Sequence, residues 1–235
     1  MSKPKLAGVT FIYNGIQHDY SYKEAIQSLL ESCDHVYVVE CNSTDGTKED
    51  IIDTFFLEER MTIIFEEWDT QSGREKLSYF TNVGIERAER DGFDYVLVIQ
   101  GDEIIHEKSY DKIRQAIKSG CEAYMCHRIN LWGDPYHKLV VPQNRQPCSN
   151  AIVRLAKTNC RAYDDAESLM SLMVDNYYFD DIRIYHVGFV RKREVMKSKI
   201  INMQISVFQL SDYDNKLKEM EVFDGISLEE LEGSE

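Results

Sequence analysis

The sequence is poor in the features that divide a chain or cross-link it. It has four prolines and twelve glycines in 235 residues, and no stretch rich in proline, glycine and serine interrupts it, which predicts one large domain. Its six cysteines form no CxxC motif and have no regular spacing, so free thiols are expected rather than disulfides or a zinc site. No apolar run approaches the length of a membrane span. Since the N-terminus also leads straight into a strand pattern, we expect a soluble, cytoplasmic protein.

Basic side chains are outnumbered by acidic ones, 27 against 41, which gives a formal net charge of −14. A surface of this sign is repelled by phosphate backbones and argues against general affinity for nucleic acids. The basic residues cluster between Arg183 and Lys199, whereas many acids fall between Glu219 and Glu235. We therefore expect one domain over residues 1–211 and an acidic, solvated tail over residues 212–235.

Short apolar segments alternate with helical patterns along the first half of the chain. Apolar, β-branched runs predict strands, and apolar residues at helical spacing predict the helices between them. The strands are expected at residues 5–13, 35–39, 61–65 and 94–99, and the helices at 22–32, 48–56 and 74–90. This alternation predicts an α/β fold with a mostly parallel sheet and helices on both faces.

Each of these four strands is followed by a polar segment. The segments are Asn14, residues 40–45, residues 69–76 and the Asp102-Glu103 dipeptide. Ligands bind to doubly wound sheets at the carboxyl ends of the strands, so the four segments should converge on one site. Two adjacent carboxylates at such a strand end indicate a site for a divalent metal or a ligand hydroxyl, and Gly101 before them lets a backbone approach a ligand closely.

The second half of the chain has a different pattern. After a helix at 108–118, strands are expected at 122–132, 151–157 and 182–190, and a closing helix at 191–210. The long loop at 133–149 holds three of the four prolines, and a loop of this length is usually a binding element or a lid. His186 lies inside the last strand, where the ordinary alternative to a functional role is a satisfied core histidine.

Three motifs, taken in order, resemble a known family. Asn42–Thr47 (NSTDGT) looks like an NS-x-DGT loop, and Ile99–Glu103 (IQGDE), followed by His106-Glu107, looks like an IQGDE..HE form of the DxD motif. Tyr185–Val190 (YHVGFV) looks like a late YHxGxV segment. Together they are similar to family 2 glycosyltransferases of the GT-A fold, over nearly the whole chain up to about Leu210.

That resemblance implies a GT-A-like (Rossmann-like) fold, a nucleotide-sugar donor, a Mg²⁺ or Mn²⁺ ion, and transfer with inversion at the anomeric carbon. A UDP-sugar is the expected donor, a glycan or another hydroxyl compound the expected acceptor, and hexosyl transfer the expected reaction. Asp102 matches the last acid of DxD and His186 the late histidine, which makes these two the expected metal ligands. A hard cation held by carboxylate oxygen compensates the charge that develops on a departing diphosphate.

The remaining donor contacts are expected at the strand ends and at the starts of helices. They are Asn14, Glu40, Asp45, Arg74, Lys76, Asn82, Gln100, Gly101, Glu103 and Arg191. Gln100 stands at the first acid of DxD, where a neutral amide suits a ribose contact, and Glu103 orients either its neighbour or the acceptor. Several have plain structural alternatives: Asp45 as a helix cap, and Arg74 and Lys76 as part of a solvated helical face.

A base is needed to take the proton of the acceptor. Tyr163–Glu167 (YDDAE) resembles the Y-x-DA segment of the family, and its aspartate matches Asp165, which is the expected catalytic base. The alternatives are Glu167 as the base and a loop-capping role for Asp165.

Two other functions remain open from the sequence. Glu40 and Cys41 stand where many members carry paired aspartates, and together with Gln100 they leave room for a non-catalytic nucleotide-sugar-binding relic. The other possibility is a glycosyltransferase acting on a modified nucleic-acid base. That acceptor would require the basic residues between Pro135 and Arg161 to form one groove.

Overall fold

The computed structural model describes residues 3–70, 73–139, 151–170 and 178–192, together with residues 194–196, 198, 199, 201 and 228–230. The first half of the chain forms β1 (Leu6–Ile12), α1 (Tyr22–Ser32), β2 (His35–Glu40), α2 (Thr47–Thr54), β3 (Met61–Phe65), α3 (Glu75–Arg90) and β4 (Tyr95–Val98). The second half forms β5 (Glu103–Ile105), α4 (Tyr110–Ser119), β6 (Ala123–Trp132), β7 (His137–Leu139), β8 (Ala151–Lys157), β9 (Arg161–Ala162), β10 (Leu169–Met170), β11 (Tyr178–Phe189) and β12 (Leu228–Glu230).

One large sheet runs through the molecule in the order β12-β7-β6-β8-β4-β1-β2-β3, with β11 paired to both β5 and β6. Strands β3, β2, β1 and β4 are parallel. Strand β8 lies antiparallel between β4 and β6, and β11 runs parallel to β6 and antiparallel to β5. The predicted α/β class is therefore confirmed.

Helices cover both faces of the parallel strands, as predicted. Successive strand side chains point to opposite faces, so Leu6, Val38 and Leu97 pack with α1 and α4, whereas Val9 and Val96 pack with α3. Gly84 brings α3 close to the sheet, because a Cβ at that position would collide with the Val9 side chain. The central strand β1 is thus buried on both sides, and its carboxyl end is held at a fixed place.

Several elements of the second half differ from the sequence prediction. Strand β7 lies inside the expected long loop 133–149, of which residues 140–149 fall outside the described residues. Strand β12 lies within the expected acidic tail and pairs antiparallel with β7. Strands of two or three residues carry no readable periodicity, which is why the sequence does not predict them.

The closing helix is described only in part. Residues 194–196, 198, 199 and 201 are helical, whereas residues 191 and 192, where the predicted helix 191–210 begins, are not. The remaining residues of that helix and most of the tail lie outside the described residues. Among the described residues, no helix combines the length and apolarity needed to cross a membrane.

Candidate functional site

A cavity of about 480 Å³ opens at the carboxyl ends of β1 and β4. It is lined by Phe11, Ile12, Tyr13, Asn14, Gln17, His18, Tyr20, Trp68, Asp69, Leu77, Gln100, Gly101, Asp102, His186 and Lys199. Five of the predicted site residues are therefore brought together here: Asn14, Gln100, Gly101, Asp102 and His186. They come from separate segments of the chain, and the topology of the sheet unites them at one edge.

Asp102 lies deep in the cavity between two cationic or titratable side chains. Its Oδ2 accepts a hydrogen bond from Lys199 Nζ at 2.7 Å and lies 3.7 Å from His186 Nε2. Burial alone would raise the pKa of the Asp102 carboxyl, but the Lys199 ammonium and the His186 imidazole hold that pKa well below its usual range. These two neighbours thus favour the charged form of the carboxylate.

His186 is oriented by a partner on the neighbouring strand. Its Nδ1 lies 3.0 Å from Asn130 Oδ1 on β6, and its Nε2 points to Asp102. Gly188 makes this arrangement possible, because a Cβ there would collide with the imidazole and approach Asp102 Oδ2 to 2.7 Å. The glycine of the YHVGFV segment thus clears space for these two side chains.

The donor atoms of this cluster suit a hard divalent cation. Carboxylate oxygen binds both Mg²⁺ and Mn²⁺, and an imidazole nitrogen beside it suits Mn²⁺ better than Mg²⁺. Mg²⁺ commonly takes one or two protein carboxylates and completes its shell from waters and phosphates. The described residues contain no group of three or more His, Cys, Asp or Glu side chains able to hold a metal. Asp102 and His186 therefore fit a cation that also binds an anionic ligand, rather than a closed protein cage.

Gly101 and Gln100 connect the cavity floor to the core. A Cβ on Gly101 would approach Ile12 Cδ1 to 2.7 Å, so this glycine packs closely against the end of β1. The Gln100 backbone amide donates to Glu103 Oε2 at 3.0 Å, which closes a tight turn after β4.

The loop 42–47 is tied to the end of β1 by side-chain hydrogen bonds. Asn14, with a positive φ of 47°, donates its backbone amide to Ser43 Oγ at 3.0 Å and accepts from the Thr44 amide at 2.8 Å. Asp45 accepts from the Gln17 amide at 2.7 Å and from the hydroxyl of Thr47, the first residue of α2, at 2.6 Å. Asp45 also accepts from the Thr47 backbone amide at 3.1 Å, so its carboxylate holds the start of α2 from one residue before the N-cap Gly46.

Glu40 hydrogen-bonds to the backbone of the same loop. Its side chain is fully buried and accepts from the backbone amides of Ser43 at 2.8 Å and Asn42 at 3.1 Å. It does not line the main cavity, although it borders a smaller one with Asn42 and Lys48. Its position supports the loop instead of facing the floor where Asp102 lies.

Three predicted contacts on α3 and its start lie away from the cavity lining. Arg74 pairs with Asp164 at 3.2 Å, with both side chains more than half exposed. Lys76 is buried with its ammonium 4.5 Å from the Trp68 ring centroid, and burial lowers its pKa. Asn82 exchanges two hydrogen bonds with the Ala162 backbone, at 2.9 and 2.8 Å, so its amide joins α3 to β9.

Glu103 and Arg191 also have structural partners. Glu103 points into the core, where Arg154 donates to its Oε1 at 2.7 Å and Arg128 lies 3.5 Å away. Arg191 donates to the His18 carbonyl and lies over the Tyr20 ring, 5.3 Å from its centroid. Arg191 therefore supports two residues of the cavity wall without being part of the lining.

Asp165 lies in the turn between β9 and β10, outside the cavity lining. Its Oδ1 accepts from the Glu167 amide at 3.3 Å, and its neighbours Asp164 and Ala166 have positive φ values of 51° and 57°. Arg154 donates to the Ala166 carbonyl at 2.8 Å, and Glu167 accepts from Arg128 at 2.5 Å. The turn is thus anchored to the same buried arginines as Glu103.

Sequence reasoning missed the aromatic wall of the cavity. Tyr13 and Trp68 stack with ring centroids 4.1 Å apart and planes 4° apart, and Phe80 stacks behind Trp68 at 5.4 Å. Tyr13 directly follows β1, and an aromatic residue at a strand end was the sequence signal that could have predicted its place in this wall. The position of Trp68 depends on a short 3-10 turn, which leaves no periodic pattern.

The basic groove considered between Pro135 and Arg161 is not formed by its described members. Arg154 is fully buried on Glu103, and Arg161 donates to Glu89 at 2.5 Å and to nearby carbonyls. His137 lies 2.8 Å from Asp134. Because these three side chains serve three separate partners, they do not join into one basic surface among the described residues of this region.

Comparisons with solved structures find glycosyltransferases and a putative glucose-1-phosphate thymidylyltransferase from Bacillus anthracis, all at low similarity. No family model and no curated protein matches this chain. A crystal structure of S. aureus TarS, residues 1–349, is 16% identical over 86% of this chain, with a TM-score of 0.46; the chain spans 66% of that fragment and 40% of a longer TarS structure. The mannosyltransferase PcManGT from Pyrobaculum calidifontis, solved with GDP-Man and Mn²⁺, is 16% identical over 56% of this chain and 37% of its own, with a TM-score of 0.39. At these values the likeness carries no inference about activity.

Proposed function

We propose that the protein is a nucleotide-sugar-dependent glycosyltransferase. The observation that carries the proposal is the position of Asp102 at the floor of a cavity, flanked by His186 and Lys199 at the carboxyl end of the parallel strands. The order of the NSTDGT, IQGDE and YHVGFV segments supports the same function, because each supplies or supports a part of this cavity.

The cavity offers distinct surfaces for the parts of a donor. The aromatic wall formed by Tyr13 and Trp68 suits a flat base, and Asn14 and Gln100 offer amides for the nucleoside. Asp102, His186 and Lys199 form the charged end, where the diphosphate would bind. We propose a UDP-hexose as the donor and a glycan or another hydroxyl compound as the acceptor.

In the proposed reaction the acceptor oxygen attacks the anomeric carbon while the carbon–oxygen bond to the diphosphate breaks. The electron pair of the broken bond leaves with the diphosphate, and the acceptor proton passes to a carboxylate. For that base we propose Asp165, on its match to the Y-x-DA segment, although its turn lies outside the cavity lining of this structure. A single displacement of this kind inverts the configuration of the anomeric carbon. Mg²⁺ or Mn²⁺, when held by Asp102 and His186, supplies charge compensation for the leaving group.

The direct test is incubation of the protein with Mn²⁺ and a panel of nucleotide sugars, with release of free nucleotide measured over time. Slow hydrolysis of one donor by the wild type, and its loss in Asp102→Asn, is the expected result. Saturable binding of a nucleotide sugar without hydrolysis, and without transfer to any hydroxyl acceptor, would favour the nucleotide-sugar-binding relic. If the donors neither bind nor react, the proposal is wrong.

A further inference from the structure

Lys199 places a fixed positive charge on the floor of the cavity. Its ammonium donates to Asp102 Oδ2 at 2.7 Å and to the Gly188 carbonyl at 3.4 Å, and it lies 5.0 Å from the centroid of the Tyr20 ring. Its side chain is 13% exposed. A carboxylate, a carbonyl and an aromatic face thus hold the ammonium in one place, where it also forms part of the cavity lining.

This charge lines the end of the cavity where the diphosphate of the proposed donor would bind. The whole chain carries a formal charge of −14, so a cation kept beside an acidic strand end is a local feature and not a consequence of composition. Arg191 lies over the same Tyr20 ring, 5.3 Å from its centroid, and adds a second positive charge behind the wall. In a partly desolvated cavity such charges attract a diphosphate more strongly than surface lysines do.

The position of Lys199 also affects any divalent ion. The oxygen that accepts from Lys199 is the Asp102 oxygen that lies nearest His186, at 3.7 Å. A divalent ion bound to that oxygen would lie close to the ammonium, and two positive charges at that separation repel each other. Lys199 and a divalent ion therefore compete for Asp102.

We propose that Lys199 binds the diphosphate of a nucleoside diphosphate directly, so that the nucleotide binds without a divalent ion, and that Lys199 weakens binding of Mn²⁺ to Asp102. The inference rests on the proposed function, since it names the residue that takes the charged end of the donor. It departs from the expectation that a metal is required for nucleotide binding at this site.

The test is calorimetric titration of UDP and of GDP into the protein, once in EDTA and once in Mn²⁺. The variants are Lys199→Met and, as a matched control, Lys118→Met, which removes the same charge from an exposed position at the end of α4. We expect the wild type and K118M to bind one of the nucleotides in EDTA, and K199M to bind it about 10-fold to 100-fold more weakly, the usual range for a charge-assisted hydrogen bond.

A second measurement follows Mn²⁺ alone, by the electron paramagnetic resonance signal of the free ion. K199M should bind Mn²⁺ more tightly than the wild type and K118M, because the competing ammonium is gone. If K199M melts below the assay temperature, Lys199→Gln replaces it, since glutamine keeps a hydrogen-bond donor without the charge, and the same loss of nucleotide affinity is expected.

The outcomes separate this inference from the proposed function. Nucleotide binding that requires Mn²⁺ in the wild type, or equal nucleotide affinity of K199M and wild type in EDTA, overturns the inference and leaves the glycosyltransferase proposal standing. Failure of both nucleotides to bind, with and without Mn²⁺, overturns both.

Discussion

Arg154 and Glu103 form an ion pair in which neither side chain has exposed surface: Nη2 of the arginine donates to Oε1 of the glutamate at 2.7 Å. The same guanidinium donates through Nη1 to the Ala166 carbonyl at 2.8 Å. Glu103 directly follows Asp102, and Ala166 directly follows Asp165. The pair therefore joins the strand end that carries the proposed metal ligand to the turn that carries the proposed base.

Replacing Arg154 with methionine should destabilise the fold strongly. The substitution leaves the Glu103 carboxylate buried with only the longer contact to Arg128, and removal of one partner from a buried pair typically costs about 3–5 kcal/mol. Denaturant unfolding measures the loss. Arg74→Met is the matched control, since its pair with Asp164 is exposed and should contribute no more than about 1 kcal/mol. Similar losses in the two variants would contradict the structural role of Arg154.

Asn130→Ala should weaken Mn²⁺ binding without changing the ligands themselves. Asn130 Oδ1 lies 3.0 Å from Nδ1 of His186, which favours the tautomer whose Nε2 is free to bind a metal. Loss of a partner of this kind typically lowers metal affinity about 10-fold to 100-fold. Paramagnetic resonance of free Mn²⁺ measures the affinity, with His186→Ala as the reference for a lost ligand. An Asn130→Ala protein that binds Mn²⁺ as the wild type does would remove Asn130 from this role.

Gly188→Ala should disrupt the site by steric collision alone. The added Cβ would collide with the His186 imidazole and lie 2.7 Å from Asp102 Oδ2, so one or both side chains must move. We expect loss of Mn²⁺ binding comparable to that of His186→Ala, with the far-ultraviolet circular dichroism of the native fold retained. Retention of wild-type Mn²⁺ affinity would show that the two side chains are not held as described.

Asp165→Asn should abolish most turnover while donor affinity stays normal, because the base acts on the acceptor and not on the nucleotide. The measurement is kcat for sugar transfer or donor hydrolysis beside the dissociation constant of the nucleotide sugar. The comparison variant is Glu167→Gln, which removes the partner of Arg128. If turnover falls in Glu167→Gln and survives in Asp165→Asn, Glu167 is the base.

The sequence predicted the parts of the site that depend on motif order. Asp102 and His186 were expected together, and the structure places them 3.7 Å apart. The sequence could not distinguish the roles of two adjacent acids. Asp102 faces the cavity, whereas Glu103, the next residue along the chain, points into the core. The signal for that core position was Arg154, a charged residue in the middle of strand β8 with apolar neighbours on both sides, which requires a buried acidic partner.

Partners far apart in the chain account for most of what sequence reasoning missed. Asn82 hydrogen-bonds to the backbone of Ala162, 80 residues away, and no local sequence pattern predicts such a contact. Lys199 stands out in the sequence only as the end of the basic cluster that begins at Arg183, because its position beside Asp102 depends on how the closing helical segment returns to the sheet.

The contact between Lys199 and Asp102 spans 97 residues, and this separation has a consequence for folding. The parallel strands beside Asp102 come from the first half of the chain, whereas the ammonium of Lys199 belongs to a segment near the end of the sequence. Closing the loop between residues far apart in sequence costs entropy before their contact can stabilise the fold. We therefore expect the segment around Lys199 to dock late in folding. The ion pair between Lys199 and Asp102, which balances the charge at the cavity floor, would then be among the last contacts to form during folding.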